Sequence, residues 1–180
     1  MRILILSAVL FICLSFSDDP NQLVGRKVPN MNVTAVDSTL VNEQFFASRT
    51  TVITFYGWGC HPCRDEIREL TSISSQFDAR AFRVLIITDD LRGSILNHFT
   101  SDTADHNEKK FVIDPDKIKI VRDRKSTLHK AFAVSAIPST FIVDNKGVIR
   151  QHILGFATIK NGSGLLGVVL PKMIKSYSEE

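Results

Sequence analysis

Six residues that favour an extended chain, Thr51-Val-Ile-Thr-Phe-Tyr56, run into Gly57-Trp58-Gly59 and then into a segment with helical spacing. The first run is rich in β-branched and aromatic residues and reads as a central strand. The glycines break it. Pro62 suits the first turn of a helix, where its missing N–H would be unpaired anyway. Ile67, Leu70, Ile73 and Phe77 then recur on one face. A strand, a short break and an amphipathic helix predict one half of a βαβ unit. At the junction sit two cysteines, Cys60 and Cys63, with His61 and Pro62 between them.

The rest of the chain fits an α/β sheet with helices on both faces. Met31–Val36 alternates weakly and Asp37-Ser38-Thr39 reads as a turn, which predicts a short N-terminal β-hairpin. Phe82–Thr88 is a second buried strand. Residues 91–100 read as a short helix and 101–110 as a polar loop. Phe111–Ile113 and Ile118–Val121 are strand candidates around the Asp114-Pro115 turn. Ser126 is placed to cap a helix carrying Leu128, Ala131 and Phe132. Ser139–Val143, the turn Asp144-Asn-Lys-Gly147 and Val148–Leu154 form a hairpin. A closing helix over 164–177 would bury Leu165, Val169, Met173 and Ile174, although Gly164 and Gly167 weaken it.

The N-terminus has one Arg ahead of an apolar run from Ile3 to Phe16. That is shorter than the roughly 20 residues that cross a bilayer. Ser15 and Ser17 fit the small-residue cleavage pattern, so residues 1–17 read as a signal peptide and 18–180 as one domain. Retention of the segment as an anchor, or lipidation at Cys13, are the other readings. A chain of 180 residues, 44% hydrophobic, can build one real core. With 22 Lys and Arg against 19 Asp and Glu, its net charge of +3 leaves no footprint for nucleic acid. The local excess Lys109, Lys110, Lys117, Lys119, Arg122, Arg124, Lys125 reads as a solvated face.

Cleavage would leave Cys60 and Cys63 in an oxidising compartment, each the other's nearest partner. Residues three apart on a helix hold their Cβ atoms about 5–6 Å apart, near disulfide reach. Cys60 at the helix start faces unpaired N–H groups that stabilise a thiolate, which makes it the expected nucleophile. Cys63, deeper in, should resolve the mixed disulfide. A structural staple across so short a loop constrains little chain entropy. A zinc site wants four ligands, and His98, His106, His129 and His152 show no paired spacing. No cofactor or metal is expected beyond the Cys60–Cys63 redox pair.

Cys60-His-Pro-Cys63 after a strand, Ile137-Pro-Ser-Thr-Phe-Ile-Val-Asp-Asn-Lys-Gly147 downstream and Leu23-Val-Gly-Arg-Lys-Val-Pro-Asn-Met-Asn-Val33 upstream together resemble a thioredoxin-fold protein. The group most similar is the exported thiol–disulfide oxidoreductases of the TlpA/ResA type, over Leu23 to Phe156. The resemblance implies a thioredoxin-like fold with a central mixed sheet, an N-terminal β-hairpin extension and a periplasmic location. It implies that Pro138 is cis and lies against the cysteines, so that the backbone of Ile137 can pair with a substrate strand. Cys60-His-Pro-Cys63-Arg-Asp-Glu66 matches the CxxCxxE pattern of that group. Glu66 is then either a proton shuttle for the resolving thiol or a helix-start carboxylate satisfying the dipole. His61, if protonated, would stabilise the Cys60 thiolate. Trp58, His61, Pro62 and Ile137 are the candidate docking residues.

Two departures matter. The group usually has Trp directly before the first cysteine, where this chain has Gly59, and Arg68 stands where a proline is common. The implied activity is dithiol–disulfide exchange with protein substrates, as a reductant. Implied partners are apocytochrome c and a membrane thiol-electron donor. A thiol peroxidase would need Pro and Thr where Ile53 and Gly57 stand. A copper chaperone using two thiolates and a histidine, or a non-catalytic thioredoxin-like binding module, are the alternatives from other classes.

Overall fold

Every residue of Thr50–Tyr56 (β3) is buried, the mark of a strand covered on both faces. The computed structural model describes residues 19–57, 59–89, 113–157 and 164–178. The expected signal peptide, Trp58, the helix at 91–100, the loop at 101–110 and Phe111–Val112 lie outside them.

A 3-10 turn, Pro20–Leu23, precedes a two-stranded antiparallel hairpin, β1 (Val33–Thr34) and β2 (Leu40–Val41). Then follow α1 (Glu43–Phe46), β3, α2 (His61–Ser74), β4 (Phe82–Thr88), β5 (Ile118–Arg122), α3 (Thr127–Ala131), β6 (Ser139–Val143), β7 (Ile149–Leu154) and α4 (Leu165–Ser178). The main sheet is five-stranded, in the order β5-β4-β3-β6-β7. β3, β4 and β5 run parallel; β6 and β7 are antiparallel to their neighbours.

The period of two along each strand divides the core. Val52 and Tyr56, with Val84, Ile86 and Ile142, face α2 and α4. Ile53 and Phe55, with Leu85, Ile87, Phe141 and Val143, face Phe45 and Phe46 of α1, Leu128 of α3 and Phe132. The expected hairpin extension and mixed sheet are therefore present.

Three local expectations are corrected. The α2 helix stops at Ser74, so Phe77 lies in the turn beyond it, still partly buried against the core. In the run Thr71–Ser75, Thr71, Ser74 and Ser75 turn their hydroxyls onto carbonyls at 67, 71 and 72, a competition with the backbone that favours helix ends. The α3 cap is not Ser126. That residue is left-handed, at φ 51°, and its side chain makes no capping bond. The buried carboxylate of Asp123 instead accepts from the N–H of Thr127 at 2.8 Å and of His129 at 2.9 Å. The basic stretch is not all solvated: Lys119 bonds Asp37 at 2.6 Å and Lys117 reaches the carbonyl of Ser74.

The closing helix exists, with its stripe shifted. Leu166, Leu170 and Ile174 are buried, whereas Val169 and Met173 lie at the margin; the side chain of Leu165 is outside the description. The two glycines set this rotation. Glu69 of α2 accepts from the N–H of Gly167 at 2.7 Å, capping the helix from outside. A Cβ on Gly164 would fall 1.6 Å from the Glu69 Oε2, and one on Gly167 2.5 Å from Oε1. Residues that weaken the helix as a local sequence thus make room for its cap. Glu69→Ala is expected to cost about 1 kcal/mol in chemical denaturation, the usual worth of a cap. Gly164→Ala should cost a similar amount and add little to Glu69→Ala, because both lose one interaction. Strict additivity of the pair would reject this account.

Candidate active site

The cysteines sit where β3 delivers the chain to α2. Gly59, at φ 81°, makes the turn in a conformation that side chains disfavour. Cys60 is the N-cap of α2, and its sulfur accepts from the N–H of Cys63 at 3.2 Å. Pro62 lies within the first turn, as expected. The two sulfurs form a disulfide. Its halves differ in access: Cys60 is partly exposed, whereas Cys63 is 1% exposed and belongs to the core. An incoming sulfur therefore reaches Cys60 first.

The second segment arrives by strand register. Phe55 of β3 pairs with Ser139 of β6, so Pro138 lies at the same end of the sheet as the cysteines. The Ile137–Pro138 peptide is cis. Pro138 is buried and Ile137 is 39% exposed beside it. The Ile137 side chain covers Gly57 so closely that a Cβ there would lie 2.5 Å from its Cδ1. A threonine at 57, which a peroxidatic arrangement would need, would have to push Ile137 aside.

Glu66 does not behave as a solvated helix-start carboxylate. It is 1% exposed and points at the sheet. Its Oε1 accepts from the hydroxyls of Thr54 on β3 at 2.5 Å and of Thr140 on β6 at 2.6 Å. Its Oε2 is buried with no hydrogen-bond partner among the described residues. Burial raises the proton affinity of this carboxyl. The two threonine hydroxyls pull it down and the nearby Glu69 charge pushes it up, and the balance lies above the ordinary value of 4.5. No acidic residue lies in the first turn of α2; Asp65, just beyond it, carries the more exposed charge, 2.7 Å from Arg68 and 3.5 Å from His61. His61 itself is 68% exposed.

A carboxyl whose folded proton affinity is raised favours the native state most below its unfolded value, 4.5. That contribution is lost as pH rises through the folded value. The Tm of the oxidised protein minus that of Glu66→Gln should therefore decrease as pH rises above 4.5. A difference that stays flat or increases would remove the buried-carboxyl account.

Thr54 and Thr140 were not singled out by the sequence. Their only signal is a hydroxyl within a buried strand, and the ordinary β-propensity of Thr hides it. Trp58 lies outside the described residues. Among those residues, no group of three His, Cys, Asp or Glu could hold a metal ion, and no helix is long and apolar enough to cross a membrane.

A cysteine pair at the first turn of α2, a cis-proline at the start of β6 and this mixed sheet define a thioredoxin-like thiol–disulfide oxidoreductase. The chain belongs to the AhpC/TSA family, whose model matches residues 24–152. It is similar to the thiol–disulfide oxidoreductase ResA of Bacillus cereus, 23% identical over 144 residues, covering 79% of this chain and 76% of the relative. Its fold is similar to that of a Chlorobium tepidum protein assigned as the thiol:disulfide interchange protein DsbE. That match has a TM-score of 0.65 and 17% identity, and covers 86% of this chain and 97% of the other. StoA from Bacillus subtilis aligns with a TM-score of 0.54 and 18% identity, over 73% of this chain and 92% of its own.

Proposed function

We propose that the protein is an exported oxidoreductase that reduces disulfides in other proteins, with Cys60 attacking and Cys63 resolving. The observation that carries the direction is the buried Glu66. An oxidant of this fold works by stabilising its reduced, thiolate form. A carboxyl buried one helical turn from Cys63 opposes negative charge there. His61 gives little in return, because it is largely exposed and its acidic neighbour Asp65 offsets any charge it carries. The balance favours the disulfide and hence a reducing pair.

Pro138 and the Ile137 backbone serve as the edge on which a substrate strand lies, and Trp58, His61 and Pro62 act as further docking residues. The relative's name, thiol–disulfide oxidoreductase, supports disulfides as the substrate class. Apocytochrome c is the implied target and a membrane thiol donor the implied source of electrons. Residues 1–17 act as the export signal ahead of the domain at 18–180, which N-terminal sequencing of the exported protein checks.

The deciding experiment is the reduction potential of Cys60–Cys63, by equilibration with thiol buffers and alkylation trapping. A value near that of thioredoxin, about −270 mV, is expected. A value near about −120 mV would make the protein an oxidant instead.

A further inference from the structure

The strand register does more than bring Pro138 to the cysteines. Thr54 and Thr140 are direct cross-strand partners in the β3–β6 ladder, and their hydroxyl oxygens are 3.0 Å apart. Both also reach the same oxygen of Glu66 and leave the other one bare. Three oxygens thus form a triangle with two hydroxyl protons to share. The threonines come from strands 86 residues apart, and the carboxylate from a helix.

We propose that Thr54 and Thr140 are positioning residues for the thiol chemistry: together they clamp Oε1 of Glu66 and so reserve Oε2 as the atom that takes and returns the Cys63 proton. This rests on the proposed oxidoreductase function and on the first of the two roles implied for Glu66, that of proton shuttle for the resolving thiol. A carboxyl oxygen already accepting two hydroxyl bonds has little room for its own proton, whereas the bare oxygen has. The clamp also acts differently on the two states. Hydroxyl bonds to a carboxylate are stronger than those to a neutral carboxyl. The threonines therefore hold down a proton affinity that burial raises, which keeps Glu66 able to ionise.

In the resolving step a mixed disulfide joins Cys60 to a substrate sulfur. Cys63 gives its proton to Glu66 Oε2, and its thiolate attacks the Cys60 sulfur. The Cys60–Cys63 bond forms and the Cys60–substrate bond breaks. The substrate sulfur leaves with the electron pair as a thiolate and takes a proton from solvent. Over the cycle the substrate disulfide gains two electrons and the cysteine pair loses two.

Other groups on the surrounding elements cannot substitute for the threonines. The titratable residues on α2 are His61, Cys63, Arg64, Asp65, Arg68 and Glu69. Those on the elements packed against it are Tyr56 on β3, Arg83 on β4, and Lys172, Lys175 and Tyr177 on α4, with none on β6. Of these charges, that of Glu69 acts on Glu66, and it raises the proton affinity.

The test uses the reduced protein and dithiobis(nitrobenzoate). Attack by Cys60 releases one thionitrobenzoate, and resolution by Cys63 releases the second. The rate of the second release is followed against pH. Thr54→Val and Thr140→Val should each move the midpoint to more alkaline pH by about one unit, the worth of one hydrogen bond to a charged group. Thr54→Ser and Thr140→Ser should restore it. If the valine variants leave the midpoint in place while Glu66→Gln abolishes this pH dependence, the clamp is wrong and the shuttle stands. A wild-type profile in Glu66→Gln would overturn both. A second measurement needs no Thr variant. The infrared C=O band of protonated Glu66, assigned by its loss in Glu66→Gln, must be that of a carbonyl accepting hydrogen bonds. A band typical of an unbonded carbonyl overturns the proposal.

Discussion

Replacing Cys63 with serine should stop the protein halfway through its cycle and leave it covalently attached to its substrates. Cys60 keeps its place at the N-cap of α2, accepting from the N–H of residue 63, which a serine also supplies. It can still attack a disulfide. The serine hydroxyl is too weak a nucleophile to release the mixed disulfide. Turnover should fall roughly 10³-fold or more, as when one member of a catalytic pair is removed. The measurement is non-reducing electrophoresis of Cys63→Ser and Cys60→Ser after exposure to disulfide-bearing proteins. Adducts are expected with Cys63→Ser alone. Adducts on Cys60→Ser instead would reverse the roles, and the 1% exposure of Cys63 argues physically against that.

The second large effect concerns stability. Phe141 of β6 is fully buried and lies at the centre of an aromatic group. Its ring is 5.1 Å from that of Phe132, 6.1 Å from Phe55 and stacked at 4.6 Å on His152. Truncating a buried Phe costs about 3–5 kcal/mol, because transfer energy is lost and a cavity remains. Phe141→Ala should lower Tm by roughly 10 °C or more. Phe141 faces α1 and α3, away from Cys63 and Glu66, so where the variant remains folded its dithiol should still close. A Tm within about 2 °C of wild type would mean that the face collapses around the gap.

These two predictions draw on different levels of information. The Cys60–Cys63 prediction needs only the strand, the break and the helix, which are local patterns of period two and period 3.6. The same reasoning places β3, β4, β6 and β7 within a residue or two of where they are found. It fails where a competing neighbour or a distant partner decides. Ser126 looks like a cap by composition, but Asp123 three residues earlier reaches forward to the helix N–H groups, because a carboxylate is the stronger acceptor. The stripe of α4 is misplaced by one residue, because its rotation is set by Glu69, 98 residues away.

Glu66 marks the boundary most sharply. Its position, three residues after Cys63, was plain in the sequence, as were the two strands that flank it. Whether it would be a solvated charge at a helix start or a buried acid was not. That depended on the pairing of Thr54 with Thr140 and on the burial of one helix face against the sheet. Spacing along a chain determines which side chains share a helix face. The proton affinity of one of them depends on desolvation and on hydrogen bonds from strands far along the chain, and only the folded structure brings those together.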